Sequence, residues 1–291
     1  MRLIIVVVAA LLGTGWFWRR SFRRGEQLAD PDRLFAAILA IGLLCRVAFV
    51  FLTPAFDAPD ERAHFNYIKY LAEHASLPVQ THGMDTMYEW EFSQPPLYYM
   101  LMTPLFLVGK VIFGGEMGAF FLARLGSVLL WLVNVGLGFA LLKRLEIADA
   151  LVRNFVLAMV CLLPTYTFIS AVVNNDNLLA TIGTAILILM LERGRSVESS
   201  LKLGFLLGLA LLTKQSAIVF APIVTFLIVV DAFKGWLKWS SALLHLLLVL
   251  GPALVLYLPW VLRNWYLYHV LMPESLSVGR LVWRSKLIGL G

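Results

Sequence analysis

Eight apolar runs, at or near the length that crosses a bilayer, follow one another along this chain: residues 3–18, 34–52, 120–142, 155–173, 178–191, 203–212, 217–230 and 241–262. A helix needs roughly 20 residues to cross a hydrocarbon core of about 30 Å. In lipid only helices and closed barrels pair all of their backbone groups, and these runs are too continuous for barrel strands, which alternate. The chain therefore reads as an all-α, polytopic transmembrane protein. Composition agrees: 60% of the 291 residues are hydrophobic and 14% are charged, against about 25% charged in ordinary soluble domains. The net charge of +6 does not point to nucleic acid, because most basic residues sit at the ends of apolar runs, where the positive-inside rule places them. Cys45 and Cys161 lie inside apolar runs and read as small buried hydrophobes, with no disulfide and no metal implied.

The basic clusters orient the spans. Arg19, Arg20, Arg23 and Arg24 follow the first run, so its heavier charge comes after the apolar stretch, unlike a cleaved signal peptide. Lys143 and Arg144, then Arg193, Arg195 and Lys202, then Lys234 and Lys238 flank later runs. All of these fall on the cytoplasmic side if residues 94–113, interrupted by Pro104, do not cross. The loop carrying Asp60, the Asn174-Asn175-Asp176-Asn177 turn, Lys214 and Arg263 then share the opposite face. If residues 94–113 cross, the bias is lost. The domain reading is a first helix and basic linker at 1–33, a membrane core at 34–270 with its long outer loop at 54–118, and an outer-face tail at 271–291. Arg46 is expected to snorkel from the outer end of its span.

The nine residues Asp57-Ala58-Pro59-Asp60-Glu61-Arg62-Ala63-His64-Phe65 concentrate charge in a chain otherwise poor in it. From Asp60 to His74 the periodicity predicts an interfacial helix. At 100° per residue Glu61, Phe65, Ile68 and Ala72 share one face and Asp60, His64, Tyr67 and Leu71 the neighbouring strip, while Arg62, Asn66, Lys69 and Glu73 point away. The acidic pair is thus aimed at protein or membrane, a costly place without a partner or a task. Asp57 reads as the N-cap. His64, one turn on, orients a carboxylate or simply hydrogen-bonds; a Glu-x-x-His pair is too short to define a metal site. Asp176 is either a turn former or a second acid. Lys214, interrupting an apolar stretch, and Arg263, at a helix end, are cations suited to a lipid phosphate. Carboxylates suit deprotonation of an acceptor hydroxyl or amine, and cations suit a phosphate leaving group.

These motifs resemble those of the GT-C membrane glycosyltransferases, especially the protein O-mannosyltransferases and the bacterial lipid A aminoarabinose transferases. Asp60-Glu61-Arg62-Ala63-His64-Phe65 is similar to the Asp-Glu-x-x-His-Phe motif of the mannosyltransferases' first outer loop. Gln94-Pro95-Pro96-Leu97 resembles their His-Pro-Pro-Leu, with Gln94 in place of His. Ala123 to Ser127, Asn175-Asp176, the Gly208 to Lys214 stretch and Pro259-Trp260-x-x-Arg263-Asn264 follow in the family's order. The resemblance spans roughly residues 34–270. It implies a GT-C-like core with interfacial helices in the first outer loop, in an integral membrane protein of a bacterial inner or plasma membrane, acting in cell envelope glycosylation. It implies transfer of a hexosyl or pentosyl group from a polyprenyl-phosphate donor to a glycan, lipid or protein acceptor on the non-cytoplasmic face. In that reading Asp60, Glu61 and Asp176 are the catalytic acids, and His64, Gln94, Lys214 and Arg263 bind substrate. No cofactor is fixed: a divalent metal cation helps some relatives and not others, and no ligand set is assigned. The alternative function is an inactive, polyprenyl-phosphate-binding or lipid-transport protein on the same scaffold.

Overall fold

The computed structural model describes residues 31–80, 89–192 and 195–273. The expected helix at 3–18, its basic linker and nearly all of the 271–291 tail lie outside them. Among the described residues every regular element is helical. Ten α-helices run in order: α1 Pro31–Leu52, α2 Glu61–His74, α3 Leu97–Ile112, α4 Glu116–Arg144, α5 Ala150–Leu162, α6 Pro164–Ile169, α7 Asp176–Met190, α8 Val197–Thr213, α9 Phe220–Phe233 and α10 Trp239–Tyr268. Short 3₁₀ turns at Trp90–Ser93 and Gln215–Val219 precede α3 and α9.

Four helical stretches are long and apolar enough to cross a membrane: Arg33–Leu52, Glu116–Arg144, Gln215–Phe233 and Trp239–Tyr268. Apolar side chains such as Val255 and Phe226 lie exposed on them, as a lipid-facing surface requires. The expected single span at 155–173 is broken instead. Pro164 has no N–H to continue the helix and sits at the first position of α6, so the chain bends at Leu163.

Two layers organise the packing. α1, α4 and α5 enclose one buried cluster around Trp131, and α2, α3, α4, α7, α8, α9 and α10 enclose a larger one. α1 runs antiparallel to α4, with Phe35 stacked on Phe139 at one end and Val50 beside Arg124 at the other. α3 runs back along the N-terminal half of α4: Tyr98 meets Ser127, and Gly109 lies against Gly118 and Ala119. A Cβ on Gly109 would come within 2.8 Å of that backbone, so the close hairpin needs glycine there. Both ends of α3 therefore stay at the Arg124 half of α4, away from Lys143 and Arg144.

The short connections after α7, α8 and α9 make those helices alternate in direction. As a result the basic ends of α4, α8, α9 and α10 gather at one end of the bundle. The starts of α2 and α7 and the ends of α8 and α10 gather at the other. For brevity these are the basic end and the Asp60 end.

Candidate functional site at the Asp60 end

The acidic pair splits. Helix α2 begins at Glu61, not Asp60, and Asp57 is not its N-cap; Asp60 occupies that position, with φ 58° and no side-chain cap bond. Only a few per cent of non-glycine residues adopt such left-handed backbone, Asp among the more tolerant. The one-residue shift sends the two carboxylates opposite ways. Asp60 is exposed, and its carboxylate has no partner among the described residues. Glu61 is 0% exposed.

Glu61 is held by a two-pronged ion pair. Arg124 donates from Nε to Glu61 Oε1 at 2.8 Å and from Nη2 to Oε2 at 2.6 Å. The Val173 backbone N–H donates to Oε1 at 3.0 Å. The rest of the guanidinium serves the end of α1: Nη1 donates to the Val50 and Thr53 carbonyls and Nη2 to the Pro54 carbonyl, at 2.8, 2.9 and 3.1 Å. Pro54 explains the need. It has no N–H to offer the Val50 carbonyl four residues back, so that acceptor is an orphan unless a side chain reaches it. Charge, hydrogen bonds and burial are all matched, which is the condition under which a buried pair is tolerable. Both carboxylate oxygens of Glu61 are thus engaged, and it ties the start of α2 to α1, α4 and the 173–176 turn.

Arg124, within the Ala123 to Ser127 run, thus belongs to this site, and Arg46 does not snorkel. Arg46 is fully buried over the Trp131 ring, 3.7 Å from its centroid. It donates to Ser170 Oγ and to the carbonyls of Gly42, Cys161 and Val160. Val160 stands four residues before Pro164, so this guanidinium also serves a carbonyl that a proline has freed.

Beyond Glu61 the residues of interest converge. His64 is buried, its Nδ1 2.9 Å from the Tyr99 hydroxyl and 3.8 Å from Glu91 Oε2. Burial first, and the Lys214 ammonium second, push His64 down to about 3, so the ring is neutral at ordinary pH and the approach to Glu91 is not a charged pair. Tyr99 also approaches Glu91 Oε2 and Asn175 Nδ2, at 3.4 and 3.5 Å. Tyr67 stacks on Tyr99 with centroids 3.9 Å apart and donates to the Gln94 carbonyl. Gln94 is buried and receives α2 through its backbone.

The 174–176 turn is built from side chains. Asn174 Oδ1 accepts from the Asp176 N–H at 2.8 Å, and the Tyr98 hydroxyl accepts from the Asn174 N–H at 3.0 Å. This sets Asp176 at the start of α7, where Lys214 Nζ pairs with its Oδ1 at 2.8 Å. That pair is partly open, with Lys214 24% and Asp176 46% exposed. Lys214 ends α8 in extended backbone. Arg263, near the end of α10, donates to the Pro78 carbonyl at 2.6 Å and lies over Trp260. Arg263 also acts on Tyr67, whose hydroxyl burial raises and the guanidinium lowers.

The fold thus brings Asp60, Glu61, His64, Gln94, Asp176, Lys214 and Arg263 to one end, and places Glu61 behind the rest. Glu91 and Tyr99, which no charge or motif signal marks, join them. Among the described residues no three His, Cys, Asp or Glu side chains come together as a metal cage. No family model matches the chain, and neither does any curated protein or solved structure.

Proposed function

We propose that this protein is a membrane glycosyltransferase that moves a sugar from a polyprenyl-phosphate lipid to an acceptor on the non-cytoplasmic face. One observation carries the reading most: an unpaired, exposed carboxylate on strained backbone, Asp60, stands one turn from His64, and His64 lies near enough to Lys214 for that ammonium to depress its basicity. An exposed base and a partly exposed cation at the same end of the fold suit transfer from a phosphate ester. The motif resemblance and the gathering of basic residues at the opposite end support the same reading, because the positive-inside rule then turns the Asp60 end outward.

In this account Asp60 takes the proton from an acceptor hydroxyl or amine as its oxygen or nitrogen attacks the anomeric carbon. The bond from that carbon to the phosphate oxygen breaks, the configuration inverts, and the electron pair leaves with the polyprenyl phosphate. Lys214 and Arg263 stabilise the charge on that leaving group. Asp176 holds Lys214 in place, Glu61 positions Asp60, and the neutral His64 with Tyr99 and the Gln94 backbone fix the wall of the site. The acceptor is a glycan, lipid or protein.

A second reading, a non-catalytic polyprenyl-phosphate binder or carrier, draws on Glu61, whose burial against Arg124 leaves Asp60 as the one unpaired acid of the original pair. Purified protein in nanodiscs, given labelled sugars on polyprenyl phosphate and a mixed acceptor extract, separates the two. Transfer that depends on Asp60 and Lys214 supports the enzyme. Lys214-dependent lipid binding without transfer in any acceptor pool supports the carrier and overturns the enzyme.

A further inference from the structure

Arg124, Arg46 and Arg263 are unequally occupied. A guanidinium carries five N–H donors. Arg124 makes five hydrogen bonds, to Glu61 and to the Val50, Thr53 and Pro54 carbonyls. Arg46 makes four. Among the described residues Arg263 makes one, from Nη2 to the Pro78 carbonyl at 2.6 Å. Its Nη1 is buried with no hydrogen-bond partner among them. An arginine that only held the fold together would be fully used, as Arg124 is, because an unserved buried donor is costly.

What Arg263 holds is the strap that leaves α2. That helix ends at His74, Ala75 follows in left-handed backbone with φ 50°, and the chain runs on to Gln80 without regular structure. Leu77 packs on the larger apolar cluster and Pro78 is buried. Two side chains from the end of α10 clip this strap. Arg263 takes the Pro78 carbonyl, and the Tyr268 hydroxyl accepts from the Gln80 N–H at 2.9 Å. Arg263 also lies close enough to Tyr67 to act on its hydroxyl, and Tyr67 stacks on Tyr99, which stacks on His64. The guanidinium thus stands between the strap and the wall of the proposed site.

We propose that residues 77–80 form a latch that competes with a phosphate-ester group for Arg263. This deepens the reading of Arg263 as a phosphate-binding cation and rests on it. A phosphate is a charged acceptor, and its bonds to arginine are about twice as strong as those of a neutral carbonyl and commonly two-pronged. Taking Nη1 and Nη2 together, it draws the guanidinium off Pro78. The buried carbonyl then lacks a donor, so the strap lifts to reach water and Gln80 leaves Tyr268. Filling of the phosphate site is thereby coupled to freeing of the segment that follows α2.

The full chain in nanodiscs is titrated with undecaprenyl phosphate and with inorganic phosphate, for wild type, Tyr268→Phe and Arg263→Met. Amide exchange is followed in peptides covering residues 76–80. Saturating wild type with the lipid speeds exchange there about tenfold, as a local opening would. Tyr268→Phe removes one clip and leaves the guanidinium in place. Its strap exchanges fast without ligand, and it binds the lipid about three- to tenfold more tightly than wild type, because less of the protein is held latched. Arg263→Met also loosens the strap, binds the lipid more weakly and shows no further change on binding. A response to inorganic phosphate as well assigns release to the headgroup alone, and a response to the lipid only assigns it to the seated lipid; either supports the latch. Lipid that binds wild type with exchange unchanged or slowed, or a Tyr268→Phe variant that binds no more tightly, overturns the latch and leaves the phosphate reading standing. If no phosphate binds wild type or Tyr268→Phe, the phosphate reading falls and the latch falls with it.

Discussion

Arg46 and Arg124 are two fully buried guanidiniums in one apolar chain, and both answer the same local problem. A proline four residues downstream leaves a helical carbonyl without its N–H, at Val160 in one case and at Val50 in the other, and an arginine from a neighbouring helix fills the gap. They differ in what else they hold. Among the described residues Arg46 meets neutral acceptors and the faces of Trp131 and Tyr166, and it closes the packing of α1 on α5 and α6. Arg124 meets the same kind of carbonyls and also a carboxylate, Glu61, which carries α2 with it. One arginine repairs a helix break; the other uses a helix break as the anchor for a site.

Substituting each arginine by Met separates the two roles. Arg124→Met strands the Glu61 carboxylate in a closed interior and leaves the Val50, Thr53 and Pro54 carbonyls unserved. Breaking one side of a buried pair costs about 3–5 kcal/mol, so this variant is expected to lose most of its folded yield in detergent. Arg46→Met orphans carbonyls but no charge, at about 1–3 kcal/mol for an unsatisfied buried group. It is expected to lower Tm clearly and stay folded. Equal losses in the two variants would break the distinction.

His64 supplies a smaller effect with a definite sign. Its basicity in the fold is pushed down to about 3 by burial and by Lys214, against about 6.5 in an unfolded chain. Between those values the unfolded chain binds the extra proton, so stability rises with pH across the window and falls as pH drops from about 6.5 towards 3. Thermal melts between pH 7.5 and 5 should show Tm falling on acidification, and His64→Asn should flatten that slope. A wild-type Tm that rises on acidification would show that His64 is charged beside Glu91.

The smallest effect belongs to Asp60. Left-handed backbone costs a non-glycine residue roughly 1–2 kcal/mol, less for Asp. Asp60→Gly should therefore raise Tm slightly, by about 0.5–1 kcal/mol of stability, while removing transfer. A drop in Tm would mean that the carboxylate supports the fold.

Part of this arrangement is legible in the sequence. The buried face of α2 and the gathering of Asp176, Lys214 and Arg263 at one end, with residues 97–112 staying at the Arg124 half of α4, follow from periodicity and from the placement of basic residues. What could not be read was tertiary. Pro54 and Pro164 announce orphan carbonyls, but no spacing says that Arg124 serves one and Arg46 the other. The split between Asp60 and Glu61 turns on a helix starting one residue later than periodicity suggested. Glu91 and Tyr99 lie at a loop and a helix start, where no repeat marks an inward-facing side chain.

The central claim is that two adjacent acids divide the work, Asp60 reacting and Glu61 holding. Measuring transfer per folded molecule alongside Tm, for Asp60→Asn and Glu61→Gln, tests it most directly. The account predicts that Asp60→Asn keeps its Tm and loses about 10²–10⁴-fold in turnover, the usual worth of a general base. Glu61→Gln should lose Tm while each molecule that stays folded keeps turnover within about tenfold. Full turnover in Asp60→Asn, or a Glu61→Gln variant that melts like wild type yet transfers nothing, would contradict it.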